Sequence, residues 1–457
     1  MVLSRDRVLN ALDLREPIDR VPKMELFASI LPFLKSLIKF NYFPNKIQNW
    51  LLKILENTIT STLRQLKMVK KASPSERRYP TDLISNIIGK RIAENASSIF
   101  GSDEKVIETA NLYLSVPIKL GYDAWSLISL QWPNVVMGKV KENNSNLFNM
   151  ALRDGGAYSI GTDLEILSKS IIFPNDYLKQ IKFQTAFFRS LIENEELEVM
   201  TDRVKRILNS KIKGKKIKDQ IVAYPMIPGI YETWLCTFGS FNMTQFHKVS
   251  FKEWRNGCKG PYHDLLKLKA KTLCRYVKLL EEIDEVLVFC LGDDSAIING
   301  PMSNPKLFQD YIAPHTKKII DQVHKSGLKF IFHSDGNFKL EGGTTEDEKW
   351  HFMNTIIDTG IDALHPIEMY GNDIGEIKEK FGDKICLCNG IDTMELQNGT
   401  RKSVGQCTYN ILQKVYQSSN GQMNGYMAGS DNSIHSGVKI NLWKQMLHTI
   451  DNFSKRL

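Results

Sequence analysis

Five short apolar segments in the second half of the chain each run into a polar tail. The tails are Asp293-Asp294, then His333-Ser334-Asp335-Gly336-Asn337, then Glu368, then Asn389-Gly390-Ile391-Asp392, and last Ser430-Asp431-Asn432-Ser433-Ile434-His435. Carboxylates gathered with one or two imidazoles support two kinds of chemistry. They can hold a divalent cation, for which His333, Asp335 and Glu368, joined by Asp293 or His435, offer nitrogen and several oxygens. They can equally move protons, because crowded carboxylates repel one another and raise at least one pKa while a nearby His acts as shuttle. Capping of helix N-termini is the plainer account of any single residue, but it explains a set of five coincident tails less well. The candidate catalytic residues are therefore Asp293, Asp294, His333, Asp335, Glu368 and His435, with His333, Asp335 and Glu368 as metal ligands. Asn389, Asp392 and Ser430 are candidate cofactor contacts.

The segments that must position these groups are short runs rich in β-branched and aromatic residues: 221–225, 286–291, 328–332, 362–367, 385–388 and 425–428, with an earlier one at 123–128. Such runs suit strands buried on both faces, as in a parallel sheet. Amphipathic stretches over 305–325 and 344–359 have the length that parallel crossovers need. The pattern is α/β, and periodicity alone allows either a doubly wound sheet or an eight-stranded barrel. In both, the carboxyl ends of the strands open onto one rim, where the polar tails would converge.

The first 110 residues read differently. Two apolar stripes, over 30–38 and 50–55, carry Lys on their other faces, with a turn expected at Pro44-Asn45. A helical cap packed on the domain is the plainer reading, and an interfacial pair of helices the other. Between residues 27 and 71, seven Lys and Arg64 stand against Glu56 alone, so most of the net charge of +9 sits in one segment. A chain of 457 residues with 42% apolar and 24% charged residues has globular composition, which excludes collagen-like and wholly disordered classes. Seven Cys without framework spacing, and an opening with no apolar signal core, predict a cytoplasmic protein without disulfides. The apolar N-terminal stretch, broken by Lys35 and Lys39, predicts no transmembrane span.

Several common chemistries lack their motifs. There is no G-x-x-x-x-G-K-[ST], no H-E-x-x-H and no G-x-S-x-G. Cys386 and Cys388 share a strand face, and buried apolar thiols describe them better than a C-x-C metal site.

The opening RDRVLNAL (5–12) with EPIDRVP (16–22) resembles the N-terminal signature of the uroporphyrinogen decarboxylase superfamily. GDDSAIINGPMSNPKLF (292–308), KFIFHSDGN (329–337), DALHPIE (362–368), LCNGIDT (387–393) and GSDNSIH (429–435) resemble its later strand ends. The resemblance implies a (β/α)8 TIM-type barrel over 115–457, preceded by an N-terminal segment, 1–114, that carries the basic helical insertion. It also implies one of two activities at the rim, porphyrinogen decarboxylation or cobalamin-dependent methyl transfer.

The arginine-rich R-Q-A-G-R loop of the porphyrin enzymes is absent, which argues against that reaction. The zinc methyltransferases of the superfamily hold metal with an H-x-C pair and a later Cys. Here the matching positions are His333 with Asp335, and Ser430-Asp431, so only the imidazole carries over and harder oxygen ligation is favoured. The cobalamin signature D-x-H-x-x-G is also missing, so a corrinoid would be carried by a partner protein or bind across the mouth. The reading is thus a corrinoid-linked methyltransferase acting on a small methylated compound with a divalent metal such as zinc. The alternatives are a carboxy-lyase acting on a small carboxylic acid and a non-catalytic or membrane-associated barrel. Partner expectations are a small-molecule substrate, a corrinoid protein, a homodimer and peripheral membrane contact through 27–71, without nucleic acid.

Overall fold

The computed structural model describes residues 2–26, 28, 103–127, 136–140, 148–152, 156–160, 166–171, 173, 176–239, 242–435 and 437–457, with backbone only for the strands between 136 and 171. The apolar stripes, the expected turn at Pro44-Asn45 and all of the basic segment except Ala28 at its edge lie outside these residues.

The apolar runs are strands, each within two residues of its expected limits. We number them β1 (Met24–Glu25), β2 (Ala124–Ser126), β3 (Val222–Tyr224), β4 (Met226–Pro228), β5 (Val288–Gly292), β6 (Lys329–His333), β7 (Ala363–His365), β8 (Cys386–Cys388) and β9 (Tyr426–Met427). All pair in parallel, in the orders β1-β2-β3 and β4-β5-β6-β7-β8-β9. Pro225, which has no N–H to donate, separates β3 from β4, yet its carbonyl still accepts from Cys290 N at 3.0 Å. A parallel bridge between Lys23 and Ala428 brings β9 back beside β1. The class is α/β with parallel sheets, as the runs imply.

Side-chain alternation sorts the core into two layers. Val288 and Cys290, Ile331, Ala363, Cys386 and Cys388, Met24 and Met427 form one small cluster. Their neighbours Phe289 and Leu291, Phe330 and Phe332, Leu364 and Leu387 belong to the large cluster shared with the helices. Burial of each such Phe or Leu contributes about 1.5–3 kcal/mol. Cys386 and Cys388 are fully buried, and no described Cys is in a disulfide.

The expected helix over 305–325 is interrupted by a wide π turn, Phe308–Ile312, before the helix Ala313–Lys325. Pro314 explains it: without an N–H it cannot close a bond to the carbonyl of Asp310, and the Cys258 thiol takes that carbonyl at 3.7 Å. Two further features have no counterpart in the sequence reading. A four-stranded antiparallel sheet, Val136–Val140, Phe148–Leu152, Gly156–Ile160 and Ile166–Ile171, follows β2. And β1, Met24–Glu25, pairs in parallel with β2.

The opening signature serves as a clamp. Asp123, fully buried just before β2, accepts from Arg7 at 3.1 Å and pairs with Arg20 at 2.7 Å, and its Oδ2 accepts from Lys23 N at 3.0 Å. Arg7 grips Asp19 through two bonds of 2.7 Å. Among the described residues no helix is long and apolar enough to cross a membrane.

Candidate active site at the strand ends

Register brings the tails together. Gly292 stands opposite His333, and His333 opposite His365, across β5, β6 and β7. His333 continues the face of Ile331, and His365 that of Ala363, so both imidazoles follow the small-cluster face at its carboxyl end. His333 Nδ1 lies 2.9 Å from His365 Nδ1. His333 Nε2 faces the other way, 3.5 Å from Asp294 Oδ1 and 3.8 Å from Asp335 Oδ1.

Asp294, His333 and Asp335 each present one ligand atom, and these atoms lie within 4.8 Å of one another. Asp335 Oδ1 is enclosed without a hydrogen-bond partner. Burial, then the nearby Asp294 charge, pushes the Asp335 carboxyl up. Two carboxylates and an imidazole in this arrangement, one oxygen of them unsatisfied, suit a divalent cation that would relieve their repulsion.

The other expected ligand, Glu368, has its oxygens engaged: Oε2 accepts from Gly336 N at 2.6 Å and Oε1 from the Asn432 amide at 2.8 Å. Glu368 thus ties the loop after β6 to the loop after β9, and Asp294 takes the third place in the cluster. Asp293 is fully buried. Its Oδ1 accepts from Glu232 N at 2.9 Å, whereas Oδ2 has no partner. Burial pushes its carboxyl up to about 7, against the pull of the Glu232 N–H and of Lys269. Asp293 is not among the three residues whose ligand atoms cluster.

The remaining candidates are placed elsewhere. Asn389 and Ser430 are fully buried behind the rim. Asp392 caps the helix Thr393–Asn398 through Met394 N at 2.7 Å and lines an open cleft of about 690 Å³ with Met369, Glu395, Lys402 and Lys414. His435 Nδ1 accepts from Gly437 N at 3.1 Å, within its own turn. Asp431, raised to about 6 by burial, holds the start of that same helix through Thr393 N at 2.9 Å.

Sequence reasoning missed three groups. Glu232, nearly buried, lies four residues beyond β4, a strand that the sequence reading did not place. His365 stands inside the quoted DALHPIE but ends a strand rather than following one. Glu25, fully buried, lies on a two-residue strand too short for periodicity to reveal.

Residues 244–453 match the family described as uroporphyrinogen decarboxylase (URO-D). Among curated proteins no match is found. Among solved structures, a B12-independent methionine synthase from a Shewanella species is 11% identical, covering 77% of this chain and 89% of its own, with a TM-score of 0.40. A sugar phosphate isomerase/epimerase from Parabacteroides distasonis is 13% identical, covering 57% and 90%, with a TM-score of 0.27.

Proposed function

We propose that this chain, whose residues 244–453 match the uroporphyrinogen decarboxylase family, is a methyltransferase that uses a cation held by Asp294, His333 and Asp335. The observation that carries the reading is the cluster itself, three ligand atoms within 4.8 Å with the Asp335 oxygen unsatisfied. A bound divalent cation would supply Lewis acidity toward an ether oxygen or amine nitrogen that leaves a methyl group. The chain's own residues do the rest. Asp293 holds a proton on a buried carboxyl beside the cluster, and Glu368 with Asn432 fixes the two loops that carry Asp335 and Ser430. The methyl acceptor in this reading is a corrinoid carried by a partner protein, since the sequence lacks a cobalamin signature. The bridge between Lys23 and Ala428 supports closure of the parallel strands into a (β/α)8 barrel whose carboxyl rim is this site.

Elemental mass spectrometry of anaerobically purified protein tests the metal. Near one divalent cation per chain is expected in the wild type, with loss in Asp294→Ala, His333→Ala and Asp335→Ala and retention in His435→Ala. Protein that stays metal-free after reconstitution with Zn2+, Mn2+ and Fe2+ removes this mechanism.

One observation favours a second reading. A buried acid still partly protonated near pH 7, as burial makes Asp293, can deliver the proton that replaces carbon dioxide in a carboxy-lyase. Carbon dioxide release from small carboxylic acids without cobalamin, abolished in Asp293→Asn, would place the lyase first. A methyl-dependent change in corrinoid absorbance would place the methyltransferase first.

A further inference from the structure

Behind His333 runs a chain of buried hydrogen bonds that ends on neither cation nor solvent. His333 Nδ1 meets His365 Nδ1 at 2.9 Å, and His365 Nε2 meets Asn389 Nδ2 at 2.9 Å. Asn389 Nδ2 also meets Glu25 Oε1 at 3.3 Å, and Glu25 Oε2 accepts from Ser430 N at 3.2 Å. Glu25, His365 and Asn389 are fully buried, and His333 is 7% exposed. Four strand ends, those of β1, β6, β7 and β8, thus contribute one side chain each to a single line.

Donor and acceptor roles along this line are not independent. A neutral imidazole carries one N–H and one lone pair. If Asn389 Nδ2 donates to His365 Nε2, then His365 must carry its proton on Nδ1 and donate to His333 Nδ1. His333 in turn carries its proton on Nε2, pointed at Asp294 and Asp335, and has no lone pair there for a cation. If the amide is turned over, Asn389 Oδ1 accepts from His365 Nε2–H, His365 Nδ1 accepts from His333 Nδ1–H, and His333 Nε2 presents a lone pair to the rim. The first setting leaves Asn389 Oδ1 enclosed without a partner, on the side where a Cβ on Gly429 would meet both it and the carbonyl of Met24. The second setting puts the amide N–H there instead, and gives Glu25 an acceptor for a carboxyl proton.

Resting on the cation reading above, we propose that Asn389 is a positioning residue whose side-chain amide selects the tautomers of His365 and His333, so that a divalent cation at the rim turns it over. His365 then changes its protonated nitrogen on metal binding although it never touches the metal. The backbone of Asn389 is held apart from this role, by Asn389 N to Met427 O at 2.7 Å and Tyr426 OH to Asn389 O at 3.0 Å. Its φ of 69° suits Asn, Asp and Gly alone among ordinary choices, so Asn389→Asp and Asn389→Gly both keep the local fold.

The experiment is long-range 1H–15N spectroscopy of the full chain with 15N-labelled His, whose nine His are few enough to resolve. His333→Gln and His365→Gln assign the signals, and Zn2+ is the probe. In metal-free wild type, His365 is expected protonated at Nδ1 and His333 at Nε2. Zn2+ moves the protons to His365 Nε2 and His333 Nδ1. Asn389→Asp, whose carboxylate can only accept from His365, shows the second setting before any metal is added. Asn389→Gly loses the preference, and its Zn2+ affinity falls by about 10–100-fold. His365 in the same tautomer in metal-free wild type and Asn389→Asp would overturn the proposal. Wild type that takes up no Zn2+ would overturn the cation reading and with it the metal-driven turn of the amide, whereas the metal-free comparison still decides whether Asn389 selects the tautomers.

Discussion

The Asp293 carboxyl fits beside Glu232 because residue 229 has no side chain: a Cβ there would fall 2.6 Å from the Asp293 Cβ and closer still to its carboxyl. Lys269 Nζ donates to the Gly229 carbonyl at 2.6 Å and so fixes the backbone from the other side. Gly229→Ala cannot be absorbed by a small shift, and overpacking of this kind costs about 1–3 kcal/mol. Urea unfolding should show that loss, and the double variant Gly229→Ala/Asp293→Gly should recover part of it, since removing the carboxyl together with its Cβ removes the collision. Strictly additive losses would show that the two positions do not touch. At this scale the sequence revealed residue types but not their partners. Asp293, Asp294, His333 and Asp335 are legible as strand tails, whereas the exchange of Glu368 for Asp294 in the cluster depends on Gly336 N and Asn432 engaging Glu368 first. The part of Asn389 depends on a left-handed backbone turn that no side-chain pattern announces.

Among the elements, the helices Pro261–Leu280 and Ala313–Lys325 pack side by side with an unusual pair of imidazoles between them. His263 and His315 have ring centroids 4.8 Å apart, and neither nitrogen of His315 finds a partner. Burial, then the proximity of His263, Lys318 and Lys267, holds the His315 pKa down at about 3. The sign follows directly. As pH falls below the ordinary His value, about 6.5, the unfolded chain takes up a proton at this position and the folded chain does not. Stability therefore declines with a slope of up to about 1.4 kcal/mol per pH unit, down to the folded value. His315→Phe removes the uptake, so its unfolding free energy should fall less between pH 6.5 and pH 5 than that of the wild type. Equal declines in urea melts at those two pH values would refute the assignment. Elements were the most legible scale: seven apolar runs became strands at their expected places, because β-branched and aromatic residues buried on both faces leave few alternatives. The antiparallel sheet over 136–171 and the short β1 escaped, the first because its segments carry polar and apolar residues without strict alternation, the second because two residues cannot display a period.

For the whole molecule, the contact that matters most is the one between its two ends. β9 returns beside β1 through Met24 N to Ala428 O and Ala428 N to Pro22 O, both 2.9 Å, and Lys23 pairs with Asp451 on the last helix, Ile440–Ser454, at 2.8 Å. This union joins the opening signature to the last motif, segments that lie more than four hundred residues apart in the sequence. At the junction stands Gly429. A Cβ on it would collide with the Met24 carbonyl and with the Asn389 amide oxygen at once. A backbone oxygen cannot rotate away as a side chain can, so Gly429→Ala must part β9 from β1 or displace both. The expected result is a loss of about 1–3 kcal/mol together with faster amide exchange at Met24 and Ala428 than in the wild type. Exchange at the β5–β6 pairing, on the far side of the sheet, should stay unchanged. Combining Gly429→Ala with Asn389→Gly removes one of the two collisions and should restore part of the stability but not the protection at Met24. Full restoration of both would mean that the strands approach each other through the amide alone, and that the ends of the chain are joined by something other than the close passage of these two backbones.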